Sequence, residues 1–368
     1  MQEQADTGAP ALKEIFDRPR LAHIAREAAA VSAGFDADVF LTRASENLDA
    51  LGIMQRMRQV AMGLHAALPG DFAENINVLE ALAPRLGHDF VAISLAEYVA
   101  LYGLDDFDIS MKALNFFTRF GSAEFAVRPF LLRDLNRTLA VMEGWAEDKN
   151  EHVRRLASEG CRPRLPWAAR IPALIKDPSP VAPILERLKS DPSLYVRKSV
   201  ANHLNDIGKD HADWMLERLE RWPLDDPRTA WIAKHALRSL IKKGDSRALA
   251  LVGAGGKPLV RVETMAVAPP EIRLGGRLSV TAKVVSTSDE SQRLVVDYAV
   301  HYVKKNGAAN RKVFKLRVVD LAPKSTCDLS ISQTVKDFTT RKHFAGHHRV
   351  DLLVNGETLA QSGFNLLI

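Results

Sequence analysis

The sequence predicts a mainly α protein, an α-helical repeat solenoid followed by an all-β sandwich. Three observations predict it. Apolar residues recur at helical spacing through roughly the first 250 residues. A helical unit returns at an offset of 43 residues, Asp148…Val153-Arg154-Arg155 reappearing as Asp191…Val196-Arg197-Lys198. Beyond the glycine-rich stretch Gly253-Ala254-Gly255-Gly256-Lys257-Pro258, the apolar period drops to two. The expected domains are therefore a helical body over 1–252, a linker over 253–259 and a sandwich over 260–368. A chain of 368 residues is too long for one ordinary core, which agrees with that division.

The helical region can be followed in order. Ala11 to Ala33 carries Leu12, Ile15, Phe16, Leu21, Ile24 and Ala28 at helical spacing. Phe40 to Leu64 repeats the pattern, Pro69-Gly70 breaks it, and Phe72 to Leu86 resumes it. Phe90 to Gly103, Ser110 to Phe120 and Glu124 to Met142 read as three further helices. Second helices of the repeating units are expected over Pro180 to Lys189 and His211 to Trp222, with Asp-Pro turns at 177–178, 191–192 and 226–227. A further echo relates Trp231-Ile232…Gly244 to Val196…Gly208 at an offset of 36. Two-helix units of about 40 residues are characteristic of HEAT-like solenoids. In the C-terminal region, Leu278–Val284, Leu294–Val303, Val313–Val319, Leu329–Val335 and Val350–Val354 read as strands. Asn355-Gly356 supplies a hairpin turn before Glu357 to Leu367. Seven or so short strands fit an immunoglobulin-like architecture, without the Cys…Trp…Cys spacing of antibody domains.

Composition excludes several classes. There is no apolar run of about 18 residues and no basic-then-apolar N-terminus, so neither a membrane span nor a secretory signal is expected. Cys161 and Cys327 are the only cysteines, fall in different predicted domains, and point to reducing cytosol without a thiolate metal site. The net charge of +5 conceals a gradient: −6 over residues 1–99, +5 over 100–258 and +6 over 259–368. A polyanion would be met by the last two thirds.

The stretch Asp148 to Trp167 has the most unusual surface. As a helix from Glu151, it gathers Val153, Leu156, Ala157 and Gly160 on one side and His152, Arg155, Glu159 and Arg162 on the other. One carboxylate among arginines, followed by Pro163, Pro166 and Trp167, differs from the lysine–glutamate pairing of a solvated helix. An intramolecular ion pair on a surface helix is the plain alternative.

Three segments, EHVRRLASEGCRPRLPWA (151–168), DPSLYVRKSVANHLNDIGKDH (191–211) and FFTRFGSAEFAVRPFL (116–131), resemble the AlkC branch of the AlkC/AlkD DNA glycosylases, over about residues 10–250. The sandwich is similar to the immunoglobulin-like domain appended in part of that branch. The resemblance implies a monofunctional glycosylase that excises cationic N-alkylated bases such as 3-methyladenine, with 3-methylcytosine a further candidate, from double-stranded DNA. It also implies a monomer without cofactor, metal or obligatory protein partner, working in the cytoplasm. The alternative is a HEAT-repeat scaffold that binds DNA or protein without chemistry.

On that resemblance, Glu159, Glu124 and Asp206 are the candidate catalytic carboxylates, stabilising a sugar that becomes oxocarbenium-like as the base leaves. Trp167 is the candidate lesion contact, through cation–π attraction. Arg154, Arg155, Arg162, Arg164, Arg197, Lys198, Lys242 and Lys243 are candidate phosphate contacts, and His203 a hydrogen-bonding or phosphate-contacting group. Plain readings stand beside these. Glu124 would favour a helix start through the macrodipole, Asp206 would pair with Arg197 or Lys209, and Trp167 would pack under its loop. Charged groups at 304–305, 311–312, 341–343 and 347–349 are expected on sandwich loop tips facing DNA or solvent.

Overall fold

The computed structural model describes residues 12–338 and 342–368; Ala11 and Arg341 lie outside them. The chain forms two compact units that divide between Asp210 and His211. The change from helix to strand falls later, between Leu251 and Val260. Among the described residues, four helices therefore belong with the strands in the second unit.

In the first unit, several predicted helices are shorter than the periodicity suggests, for local reasons. Phe40 to Leu64 is two helices, Ala37–Ser45 and Ile53–Ala67, because Asn47 adopts a left-handed conformation (φ 50°) and Gly52 restarts the chain. Glu124 to Met142 is likewise divided into Arg128–Arg133 and Leu135–Trp145, where the Asp134 side chain accepts from Arg137 N and caps the second helix. Glu124 itself sits in the turn before Arg128, so no helix starts at it.

The repeat is visible in hydrogen bonds as well as letters. Asp148 accepts from Asn150 N, and Asp191 from Ser193 N. Asn150 then caps the helix Glu151–Glu159, and Ser193 caps Leu194–Ile207. Arg154 Nη1 donates to the carbonyls of Asp148 and Lys149, and Arg197 Nη1 to those of Asp191 and Pro192. Each feature recurs 43 residues on, so one local sequence builds one helix entry twice. The two helices pack on each other, and Val153, Leu156, Ala157, Val196, Val200 and Leu204 are all buried.

The described residues of the second unit form eight strands: β1 (Val260–Ala268), β2 (Glu271–Arg273), β3 (Arg277–Ser286), β4 (Gln292–Val303), β5 (Ala309–Leu321), β6 (Thr326–Thr334), β7 (Gly346–Val354) and β8 (Glu357–Leu367). One sheet has the order β1-β3-β6, the other β2-β8-β7-β4-β5, with β2 parallel to β8 and the other pairs antiparallel. Leu278 and Val280 of the first sheet pack on Tyr298, Val300, Val350 and Phe364 of the second. Asn355 (φ 47°) and Gly356 (φ 81°) make the two-residue hairpin that their letters predict. Arg311 and Lys312 lie on β5, and His347, His348 and Arg349 on β7, not on loop tips; His348 is fully buried against Phe364. These charges interrupt the apolar alternation, which hides the strand ends in the sequence. The helices of this unit pack Ile241, Leu249 and Val252 on Val295 and Val318, the face of β4 and β5 turned away from the other sheet. No helix among the described residues is long and apolar enough to cross a membrane.

Candidate active site

The three candidate carboxylates come from different local structures and meet through two arginines. Glu159 ends the helix Glu151–Glu159, Asp206 lies near the end of Leu194–Ile207, and Glu124 sits in the turn after Gly121. Arg155 Nη1 donates to Glu124 Oε2 at 2.6 Å and its Nη2 lies 3.5 Å from Glu159 Oε1. Arg162 Nη1 donates to Glu159 Oε1 at 2.7 Å, while its Nε and Nη2 donate to Asp206 Oδ2 at 2.8 and 2.7 Å. Ser199 Oγ donates to Glu159 Oε2, Ser122 Oγ to Glu124 Oε2, and Lys209 Nζ to Asp206 Oδ1. Acid and base thus alternate from Glu124 to Lys209 in one connected row.

Burial makes this row more than a surface ion-pair chain. Glu159 and Asp206 are only 5% and 3% exposed, so their charges stand in low dielectric and depend on their partners. Burial alone would push Arg155 and Arg162 down. The facing carboxylates outweigh it and hold both guanidiniums above their ordinary range. Close packing positions the row. A methyl group on Gly160 would lie 2.6 Å from Val127 Cγ1, and one on Gly121 only 2.8 Å from Ile93 N, so larger residues would displace Glu159 or the Glu124 turn.

Trp167 is 65% exposed, which removes the reading that it packs beneath its loop. Its backbone is left-handed (φ 65°), a conformation costly for a non-glycine residue and held by the surrounding contacts. Those contacts are strong. The buried Arg128 donates to the carbonyls of Gly160 and Arg162 at 2.9 Å and to that of Ala169. Arg164 forms a two-pronged pair with Asp210 at 2.8 Å, and Arg162 ties the loop to Asp206. The loop bearing Trp167 is therefore braced to the same helix that carries Asp206. Burial lowers Arg128 to about 10, and burial raises the Cys161 thiol to about 12, so that cysteine is an inert packing residue.

The basic candidates separate into groups. Arg154 grips Asp191 with Nε at 2.6 Å and Nη2 at 3.1 Å besides its two carbonyls, and so clasps adjacent repeats together. Arg197 holds its own helix entry. Arg155 and Arg162 belong to the carboxylate row. Lys198, Lys242 and Lys243 are exposed. Contrary to the phosphate contact expected for it, His203 is fully buried, and burial together with Arg162 and Arg128 lowers it to about 3, so it is a neutral ring in the core. Its place on the polar letters of the helix suggested otherwise, but the neighbouring helix covers that face.

One residue escaped the sequence reading. Tyr195 is 39% exposed, and the guanidinium of Arg155 lies 4.7 Å from its ring centroid, beside His152 at 5.5 Å. His152 and Tyr195 occupy the same position 43 residues apart, so the repeat itself held the signal.

A helical-repeat body bearing buried carboxylates in an arginine row, joined to a β-sandwich, matches a known class. Residues 28–240 match the family described as DNA alkylation repair enzyme, and the chain belongs to that family. Residues 261–368 match the family described as the C-terminal Ig-like domain of uncharacterised protein YhaZ. The uncharacterised protein YhaZ of Bacillus subtilis (strain 168) is 42% identical over 347 residues, spanning 94% of this chain and 96% of that protein. The solved structure of Pseudomonas fluorescens alkylpurine DNA glycosylase AlkC, bound to DNA containing an abasic site analog, is similar with a TM-score of 0.95. It is 54% identical, covering 98% of this chain and 100% of that one.

Proposed function

We propose that this protein is a monofunctional DNA glycosylase that hydrolyses the N-glycosidic bond of cationic N-alkylated bases in double-stranded DNA. The substrate we assign first is 3-methyladenine, with 3-methylcytosine second. The observation that carries the reading is the row in which Arg155 and Arg162 hold Glu124 and the buried Glu159 and Asp206. The similarity to a DNA-bound alkylpurine glycosylase supports it.

A base alkylated at a ring nitrogen already carries positive charge and leaves without much protonation. The demand on the enzyme moves to the sugar, which becomes cationic as the bond stretches. Carboxylates fixed in advance by guanidinium hydrogen bonds answer that demand without reorganising at the moment of reaction. Glu159 and Asp206 have both oxygens engaged and supply field. Ser122 and Arg155 both donate to Oε2 of Glu124, and Oε1, without a hydrogen bond among the described residues, orients the attacking water. Trp167 stands on its braced loop with its ring in solvent, available to a positively charged base. Lys198, Lys242 and Lys243 are the phosphate contacts of choice, with Arg164 joining them if it exchanges Asp210 for a phosphate.

The test is release of free base from methylated duplex DNA by the full chain and by Glu124→Gln, Glu159→Gln and Asp206→Asn. We expect released 3-methyladenine from the parent protein and near-complete loss in the variants, with duplex binding retained. A protein that binds duplex and releases nothing would be the scaffold of the alternative reading.

A further inference from the structure

Within residues 211–368 lies a cavity of about 440 Å³, between the helices Pro227–Ala236 and Arg238–Lys243 and the outward face of β4 and β5. The size is that of a small-molecule site, for which roughly 300–1,000 Å³ is usual. Its chemistry is uneven. Ala233, Ile241, Val295 and Val318 give it apolar walls, while Lys234, Arg238, Lys242, Arg293 and Lys315 bring five cations to it. Against these stands one acid, Asp297, which is 5% exposed.

Strand alternation puts Asp297 there, on the same face of β4 as Val295. The β4–β5 register shifts between Val296 and Asp297, setting Asp297 opposite Lys315 on the face turned to the helices. Among the described residues, its carboxylate makes no ion pair and no side-chain hydrogen bond. Burial pushes it up to about 6 even with Lys242 and Lys315 in range. Lys315 is in turn lowered, by burial first and then by Lys234 and Arg293. The carboxylate lines the cavity, where a ligand N–H donor would meet it in a lower dielectric than water.

We propose that this cavity binds a guanine mononucleotide, its base on the Asp297 carboxylate and its phosphate among Lys234, Lys242 and Lys315. The two requirements select the ligand together. A bare anion would meet Asp297 and leave the apolar walls wet. A cation would meet five like charges. Guanine presents two adjacent N–H donors to a carboxylate, has flat faces for the apolar walls, and as a nucleotide carries the phosphate. In a paired duplex that N–H edge is occupied by the opposite base, so a free nucleotide fits where duplex DNA does not.

Calorimetric titration of the full chain with GMP, AMP and inorganic phosphate tests this. The expected result is GMP binding at least tenfold tighter than AMP or phosphate. Asp297→Asn should weaken GMP at least tenfold and leave phosphate unchanged, and the exposed Lys242→Glu should weaken both. Thermal melting checks that each variant folds, and Lys242→Glu keeps the question open to decision should Asp297→Asn fail to fold. Three outcomes overturn the proposal: no GMP binding at millimolar concentration, equal affinity for GMP and phosphate, or displacement of GMP by unmodified duplex. The last would assign the cavity to DNA.

Discussion

Glu159 and Asp206 in the helical unit and Asp297 in the sandwich unit are carboxylates of similar burial, 5%, 3% and 5% exposed, in opposite surroundings. The first two are gripped by Arg162, with Ser199 and Lys209 completing their hydrogen bonds. Asp297 lines the cavity with Lys242 and Lys315 in electrostatic range and, among the described residues, no ion pair. Burial is the same; what differs is whether the sequence supplies a donor at bonding distance. A satisfied buried charge is a fixed instrument, ready to act on a substrate. One that no protein cation holds raises its own pKa and weighs on the fold above that pKa.

That contrast can be broken from either side. Arg162→Leu leaves two buried carboxylates without their main partner. We expect a loss of about 3–5 kcal/mol in denaturant unfolding, the magnitude of a buried pair broken on one side. A loss below about 1 kcal/mol would mean that solvent, not Arg162, supports the row. Glu159→Gln and Asp206→Asn should each slow single-turnover base release by about 10²–10³-fold, the size of a preorganised electrostatic contribution. DNA affinity should stay within a few-fold.

Asp297→Asn should act in the opposite sense on stability. Its folded pKa, about 6, lies above the ordinary 3.8, so the folded state holds the proton more tightly. Stability is therefore lost as pH rises from about 4 through 6, and the asparagine variant escapes that loss. We expect no difference near pH 4 and a gain of about 2–3 kcal/mol above pH 7, taking about 1.4 kcal/mol per pKa unit. A variant less stable at pH 8 would require a partner for the carboxylate. The smallest effects are on the exposed side chains. Trp167→Ala should reduce release of a cationic base about tenfold and leave stability within about 0.5 kcal/mol. Lys198→Ala should lower the salt dependence of duplex binding by about one phosphate contact.

Much of this was legible in the letters. The 43-residue offset is written in Asp148/Asp191 and Arg154/Arg197, and the structure repeats it bond for bond. Asn355-Gly356 announced its hairpin, and the switch from period 3.6 to period 2 announced the sandwich. Glu159 drew notice because one acid among arginines is rare on a helix face. Less legible were features that depend on what lies across from a residue. The helix Glu124 to Met142 broke at Asp134, since a cap can outweigh periodicity. Nothing in the letters singles out Arg128, yet it holds the Trp167 loop through three carbonyls.

The sequence by itself determined the order of helices and strands, the repeat, the turn chemistry and the presence of acids within basic surroundings. These depend on neighbours three, four or 43 residues away and on local backbone preference. Only the tertiary structure decided which acids are gripped and which stands alone, that His203 is core, and that Trp167 faces water. Those outcomes depend on the distance between groups far apart in the chain, and a difference of a few ångströms separates a hydrogen bond from a bare buried charge.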